Sequence, residues 1–262
     1  MYICSKFFNL SRKFICKVKL RPCFKNPFSV LLYEKMPKLQ FLHHSSFRLS
    51  LQKCTILIDP FVNVPKDVHT KARTKCPVSN RILKDADIVL ISHEHFDHFD
   101  KKLINEIAEE ENCAIVAHDN VLSEINAKSS NKYPVTVNKK MNIRGVTIEA
   151  FHVHHPNSFY PLGFKIESKN FSLIHTGDTF LTDSLNKLKA DVLLVPIGGQ
   201  ITMDVIDAVK VVKTIEPKIA IPMHYNTFDI IKASPKEFKE RIENSVLNTK
   251  PIILKPGESL NI

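Results

Sequence analysis

Three of the chain's twelve histidines fall within the run His93-Glu94-His95-Phe96-Asp97-His98. On an extended segment His93 and His95, two apart, point their imidazoles the same way and can hold one metal ion. Asp97 and His98 follow after Phe96 and can turn toward a second ion. Zinc takes imidazole nitrogen and carboxylate oxygen readily, and two such ions about 3.5–4 Å apart can share a bridging hydroxide. A solvated histidine-rich turn is the bland alternative. Against it stand three further segments of the same kind: His152-Val153-His154-His155, His175-Thr176-Gly177-Asp178 and Pro222-Met223-His224-Tyr225.

Each of these segments closes a stretch that reads as a strand, and a strand ending in a polar loop is where α/β proteins place functional groups. Residues 38–42, 46–51 and 55–58 read as successive strands, and residues 60–80 as a long loop. The contiguous Ile88-Val89-Leu90-Ile91 marks a buried strand over 87–92. Leu103, Ile104, Ile107 and Ala108 give residues 101–111 one apolar helical face. Residues 114–117 follow as strand and 119–127 as helix. A second block has strands at 146–153, 162–168 and 171–175. Helices near 182–188 and 203–214 then flank strands at 191–195 and 218–221. A helix over 235–246 precedes short strands at 251–254 and 258–261. The pattern predicts an α/β protein in which two sheets pack face to face with helices outside.

With those residues in place, the set His93-x-His95-x-Asp97-His98, a later His, Gly177-Asp178 and His224 resembles the signature of the metallo-β-lactamase superfamily. Phe41-Leu42-His43-His44-Ser45-Ser46-Phe47, Leu57-Ile58-Asp59-Pro60 and Pro222 to Phe228 are similar to its small cytoplasmic metal-dependent hydrolase branch, related to the ascorbate-phosphate lactonases. The resemblance spans about residues 37–262 and implies a four-layer αββα sandwich. It implies that His93, His95 and a later His hold the first metal, that Asp97, His98 and His224 hold the second, and that Asp178 bridges them. His152, His154 and His155 all compete for the later position. The run from His155-Pro156 to Leu162-Gly163-Phe164 resembles ribonuclease-J-like members and favours His155, with His152 next because it ends the strand. Asp97 is expected to hold the attacking hydroxide in line.

Other positions carry weaker expectations. His44 sits where the family has a Gly-His-Ser turn and is expected either to line the pocket or to satisfy backbone groups. His43 replaces that glycine, which leaves the local backbone conformation open. Asp59 is expected to orient an imidazole or cap a turn. Tyr225, Asn226 and His44 are the candidates for proton donor to a leaving group. His175 is expected to be a packed strand residue, and His69 and His118 surface residues. Relatives with a redox di-iron centre place a carboxylate where this chain has His95, so a hydrolytic, zinc-type pair of divalent ions is expected, with manganese or iron compatible with the same ligand types.

The net charge of +10 invites a nucleic-acid reading, but Lys6, Arg12, Lys13, Lys17, Lys19, Arg21, Lys25 and Lys35 stand against Glu34 alone. The basicity therefore belongs to an extension over residues 1–36, which is either a targeting segment or the product of a start set too early, with Met36 the true one. Residues 37–262 then form the hydrolase domain. The six cysteines form no CxxC pair, which fits a reducing cytoplasm. No apolar run reaches the roughly 18–20 residues that span a bilayer, so no membrane partner is expected. Two divalent ions carry about +4, while Asp97, Asp178 and a hydroxide carry about −3, which leaves about one positive charge to favour an anionic ester, lactone or phosphoester. The expected partner is thus a small-molecule substrate, with a homo-oligomer possible. A nuclease or phosphodiesterase acting on RNA or nucleotides is the alternative, and a non-catalytic metal-dependent binding protein the third reading.

Overall fold

A computed structural model of the chain describes residues 36–65, 73–109 and 113–262. The expected extension, apart from Met36, and His69 lie outside the described residues.

Strands β1 (Lys38–His43), β2 (Ser46–Ser50), β3 (Thr55–Ile58), β4 (Ile88–Leu90), β5 (Ala114–Ala117) and β6 (Lys132–Pro134) belong to one sheet. Strands β7 (Lys140–Ile143), β8 (Val146–His152), β9 (Leu162–Ser168), β10 (Phe171–His175), β11 (Val192–Pro196), β12 (Ile219–Met223) and β13 (Lys250–Pro251) form the other, and β14 (Ser259–Asn261) returns to flank β1. The sheet orders are β14-β1-β2-β3-β4-β5-β6 and β13-β12-β11-β10-β9-β8-β7. Both sheets begin with antiparallel hairpins and change to parallel pairing, at β3 to β4 in one and β10 to β11 in the other.

The contiguous apolar run at β4 now has its reason. Ile88 and Leu90 join the core between the sheets with Phe47, Ile56, Phe164, Leu194 and Met223. Val89 and Ile91 point to the opposite face, under α2 (Lys101–Ala108), with Leu103, Ile104 and Ile107. A parallel strand covered on both faces loses its alternation. On the far side, α4 (Val205–Ile215) and α5 (Pro235–Glu243) cover the second sheet through Val212, Ile215, Phe238 and Ile242. Helix, sheet, sheet and helix make the four layers of an α/β sandwich. Each Leu or Ile fully buried in these layers stabilises the fold by about 1.5–3 kcal/mol.

Two predicted helices differ in the structure. Helix α3 stops at Asp119–Leu122 instead of reaching 127, because Asn126 N–H is drawn to Asn105 Oδ1 of α2 at 2.8 Å. The helix near 182–188 is a short 3-10 turn, Asp183–Lys187. Strands β6 and β7 and the five-residue helix α1 (Asn80–Lys84) were not foreseen: the two strands are sheet edges with exposed, polar faces, and α1 is too short for a periodic signal.

Candidate metal centre

All the strands that feed the site run the same way within their sheets, so their C-terminal ends line one edge of the sandwich. His44 follows β1, Asp59 follows β3, His93 lies just past β4, Asp178 past β10 and His224 past β12. Three of these turns use a non-glycine residue in the left-handed region: His44 (φ 58°), Asp59 (φ 45°) and His224 (φ 54°). Asp and His tolerate this region better than branched residues do, yet each costs about 1–3 kcal/mol. The left-handed turn falls on His44, leaving His43 with ordinary backbone and its Nε2 2.8 Å from Thr74 Oγ1. The His224 N–H donates to His44 C=O at 3.0 Å, which joins the two sheet edges at the site.

The ligand atoms fall into two groups linked by a third, His93, His98 and Asp178, which takes one histidine from each. His93 Nε2 lies 3.1 Å from His95 Nδ1, and His155 Nε2 lies 3.2 Å from the same atom. Asp97, His98 and His224 form the second group with His44, whose Nε2 lies 3.1 Å from Asp97 Oδ2. Asp178 stands between them, with Oδ1 3.2 Å from His98 Nε2 and Oδ2 3.0 Å from His224 Nε2 and 4.0 Å from His155 Nε2.

Proton positions decide whether a metal fits. His95 Nε2–H donates to Asn157 C=O at 3.1 Å, so Nδ1 presents a lone pair. Ser92 Oγ donates to Asp59 Oδ2 at 2.7 Å and therefore accepts from His93 Nδ1–H at 2.9 Å, which leaves a lone pair on His93 Nε2. Two lone pairs thus face each other at 3.1 Å, an arrangement that a cation between them would satisfy. Burial lowers the pKa of His93 and His155, which disfavours a proton on either ring. In the second group Asp59 Oδ2 accepts from His98 Nδ1–H at 2.8 Å. Burial opposes a charge on His98, but Asp178 and Asp59 outweigh it and raise its pKa, so a metal there would displace a proton. His44 Nδ1, His155 Nδ1 and His224 Nδ1 are buried without a hydrogen-bond partner among the described residues, and His98 Nε2, His224 Nε2 and the Asp178 carboxylate have only one another within reach. Polar atoms are rarely buried in this state unless an ion or water completes them. The residues fit a metal ion held by imidazole and carboxylate donors.

The three loop histidines differ in which way they face, and only His155 lies with His93 and His95. Phe151, Val153 and His155 are buried, whereas His152 and His154 are exposed. The expectation for His155 rests on the ribonuclease-J-like run that follows it; the alternation with Phe151 and Val153 is a second signal, which that expectation did not use. His175 stays outside the metal groups, with Nε2–H donating to Ser45 C=O at 2.9 Å and Nδ1 accepting from Gly177 N–H at 3.1 Å. Ser92 was missed, although it is the small polar residue that closes the β4 apolar run.

Two proton-donor candidates are corrected. Tyr225 packs against the α4–α5 core, and burial pushes its phenol up to about 12. The Asn226 side chain closes its own loop, donating to Ala233 C=O at 2.9 Å and accepting from Ala233 N–H at 3.1 Å. His44 does reach the site, but burial, then the neighbouring His224, lower its pKa to about 3 and keep it neutral. His118 is not a free surface residue: it is half-buried, caps α3 and stacks on Tyr160 with ring centroids 3.9 Å apart. Phe61, Phe96 and Phe228 form an aromatic wall beside His44, with ring centroids 5.8–6.3 Å apart.

Residues 38–224 match the family model of the beta-lactamase superfamily domain. A metal-dependent hydrolase of Methanosarcina mazei is 33% identical over 239 residues, covering 86% of this chain and 98% of that protein. A protein of Staphylothermus marinus with the same description is 36% identical over 236 residues, with 86% and 98% covered. The solved structure of Igni18, a metallo hydrolase from Ignicoccus hospitalis, is similar at a TM-score of 0.74 and 26% identity, covering 86% of this chain and 97% of that one.

Proposed function

Since the chain belongs to the beta-lactamase superfamily, in its metal-dependent hydrolase branch, we propose that it cleaves a small ester, lactone or phosphoester using two divalent metal ions. The observation that supports the two-ion reading is the pair of ligand-atom clusters with Asp178 between them, one at His93, His95 and His155 and one at Asp97, His98 and His224 beside His44. Zinc is the ion we assign, from a donor set rich in imidazole with two carboxylates. Divalent ions in such a site supply Lewis acidity and lower the pKa of water to about 7, so that a nucleophile exists at neutral pH.

The chain's own residues do the rest. Asp59 and Ser92 fix the tautomers of His98 and His93, so each imidazole turns a lone pair inward. Asp97 is held as a carboxylate: burial opposes its charge, but the hydrogen bond from His44 and the neighbouring histidines lower its pKa. It is the residue we assign to orient the attacking water. Asp178 is kept ionised in the same way by His224 and His98 against the effect of burial.

The charge count from sequence changes once Asp59 enters it. This fully buried carboxylate accepts from Ser92 N–H, Ser92 Oγ–H and His98 Nδ1–H. Its charge cancels the remaining positive one, and the net balance no longer singles out an anionic substrate. Neutral esters and lactones therefore stand beside phosphoesters.

Cys54 and Cys76 are thiols, which supports a reducing cytoplasm as the compartment we assign. Among the described residues no helix is long and apolar enough to cross a membrane.

Metal analysis of purified protein, with a hydrolase screen across lactones, phosphodiesters, thioesters and RNA, tests this reading. Two metal ions per chain and a hydrolysis lost in His95→Ala are expected. Less than one ion per chain, with His95→Ala behaving as wild type, would refute it.

A further inference from the structure

Glu94 stands between two of the ligands but makes its contacts elsewhere. Its Oε1 accepts from Phe159 N–H at 2.7 Å, and its Oε2 accepts from Ser158 Oγ–H at 2.9 Å and from Asn120 Nδ2–H at 3.3 Å. Ser158 and Phe159 belong to the loop that begins at His155. That loop is closed on itself by Ser158 N–H donating to His155 C=O at 3.1 Å. Next to Glu94, His95 Nε2–H donates to Asn157 C=O. Before His155 the chain is fastened a second time: His154 N–H donates to Thr179 Oγ1 at 3.0 Å, and His154 C=O accepts from Phe180 N–H at 2.8 Å. His155 therefore hangs between two anchors, each beside another ligand in the sequence. Glu94 lies between His93 and His95, and Thr179 follows Asp178.

We propose that Glu94 is a positioning residue, a clasp that holds the 155–159 loop so that His155 Nε2 stays beside His93 and His95 in the absence of metal. The consequence for metal affinity rests on the two-metal reading above; the clasp itself is a property of the chain. A carboxylate accepting several hydrogen bonds forms stronger ones than a neutral acceptor. A loop ordered in advance does not have to surrender its conformational freedom when an ion binds. Asn120, presented from α3, shares the Glu94 Oε2 with Ser158 and links the clasp to the helical layer.

The test uses full-length, metal-free protein as wild type, Glu94→Gln and Glu94→Ala. Hydrogen exchange of the 156–160 segment is followed by mass spectrometry, then zinc is titrated against a chromophoric chelator. The segment should exchange faster in Glu94→Ala, with Glu94→Gln intermediate because it keeps a carbonyl acceptor. One zinc-binding step should weaken about 10–100-fold in Glu94→Ala while the other holds. Unchanged exchange in Glu94→Ala would overturn the clasp, as would two zinc steps that weaken together or not at all. A wild type that binds no zinc, with the segment still loosened in Glu94→Ala, would instead support the clasp and sink the two-metal reading. Should Glu94→Ala fail to fold, Ser158→Ala carries the same test, with faster exchange for the clasp and unchanged exchange against it.

Discussion

Asp59 accepts the Nδ1–H of His98 at 2.8 Å while the same carboxylate oxygen accepts the hydroxyl of Ser92 at 2.7 Å. Through Ser92, which in turn accepts from His93 Nδ1–H, one buried carboxylate sets an imidazole in each of the two ligand groups.

Asp59→Asn should disturb both groups at once. The amide puts a donor where the carboxylate only accepts, so either His98 Nδ1–H and Ser92 Oγ–H together lose their acceptor, or Ser92 N–H loses its own. Zinc affinity is expected to fall about 10–100-fold in a chelator competition assay. An affinity equal to wild type would show that this carboxylate does not orient the ligands.

Neighbouring histidines should separate cleanly. His155→Ala removes a buried ligand nitrogen and is expected to lower kcat/KM and the affinity of one metal by about 100-fold or more. His152→Ala alters an exposed side chain and should leave metal content unchanged and stability within about 0.5 kcal/mol. The reverse ranking would move the ligand to the strand end.

Acid should weaken the metal-free protein well before its carboxylates titrate. Burial lowers His43 to about 4, and burial, then His224, lower His44 to about 3. Between these values and the ordinary histidine value the unfolded chain binds protons that the folded chain refuses, so stability falls as pH falls from about 6.5 to 4. The shift at His43 alone corresponds to about 3 kcal/mol over that window. His98, raised by its carboxylates, titrates above the window and does not reverse the slope. Urea midpoints of the chelator-treated protein at pH 7 and pH 4.5 check this; equal midpoints would contradict it.

Gly198→Ala tests the closeness of two strand ends. A Cβ there would overlap the backbone oxygen of His224 and press on Ile231, 3.0 Å away. Backbone cannot yield as a side-chain tip does, so a loss of about 1–3 kcal/mol in stability is expected, with weaker metal binding. Retention of both would mean that the turn before His224 adapts.

The sequence made legible whatever depends on local alternation and contiguity. Strands 55–58, 114–117, 162–168 and 171–175 match the structure at both ends, since each is apolar on at least one face and bounded by turn residues. His155 is favoured by the ribonuclease-J-like run that follows it, and its parity with buried Phe151 and Val153 agrees. Ser92 could not be singled out: its role depends on Asp59, 33 residues earlier, arriving beside it through the pairing of β3 with β4. Tyr225 and Asn226 misled for a related reason. Adjacency to His224 in the chain does not carry a side chain into the site when a left-handed turn at Asn226 (φ 57°) sends the loop back on itself.

The first sheet supplies Asp59 and the His93–His98 run, and the second supplies His155, Asp178 and His224. Neither half of the chain carries a complete ligand set. A chain cut between Pro134 and Lys140, where the path leaves one sheet for the other, would thus give two fragments that need each other. Metal binding would then report their complementation, and each half could be varied alone without either gaining the chemistry of the whole.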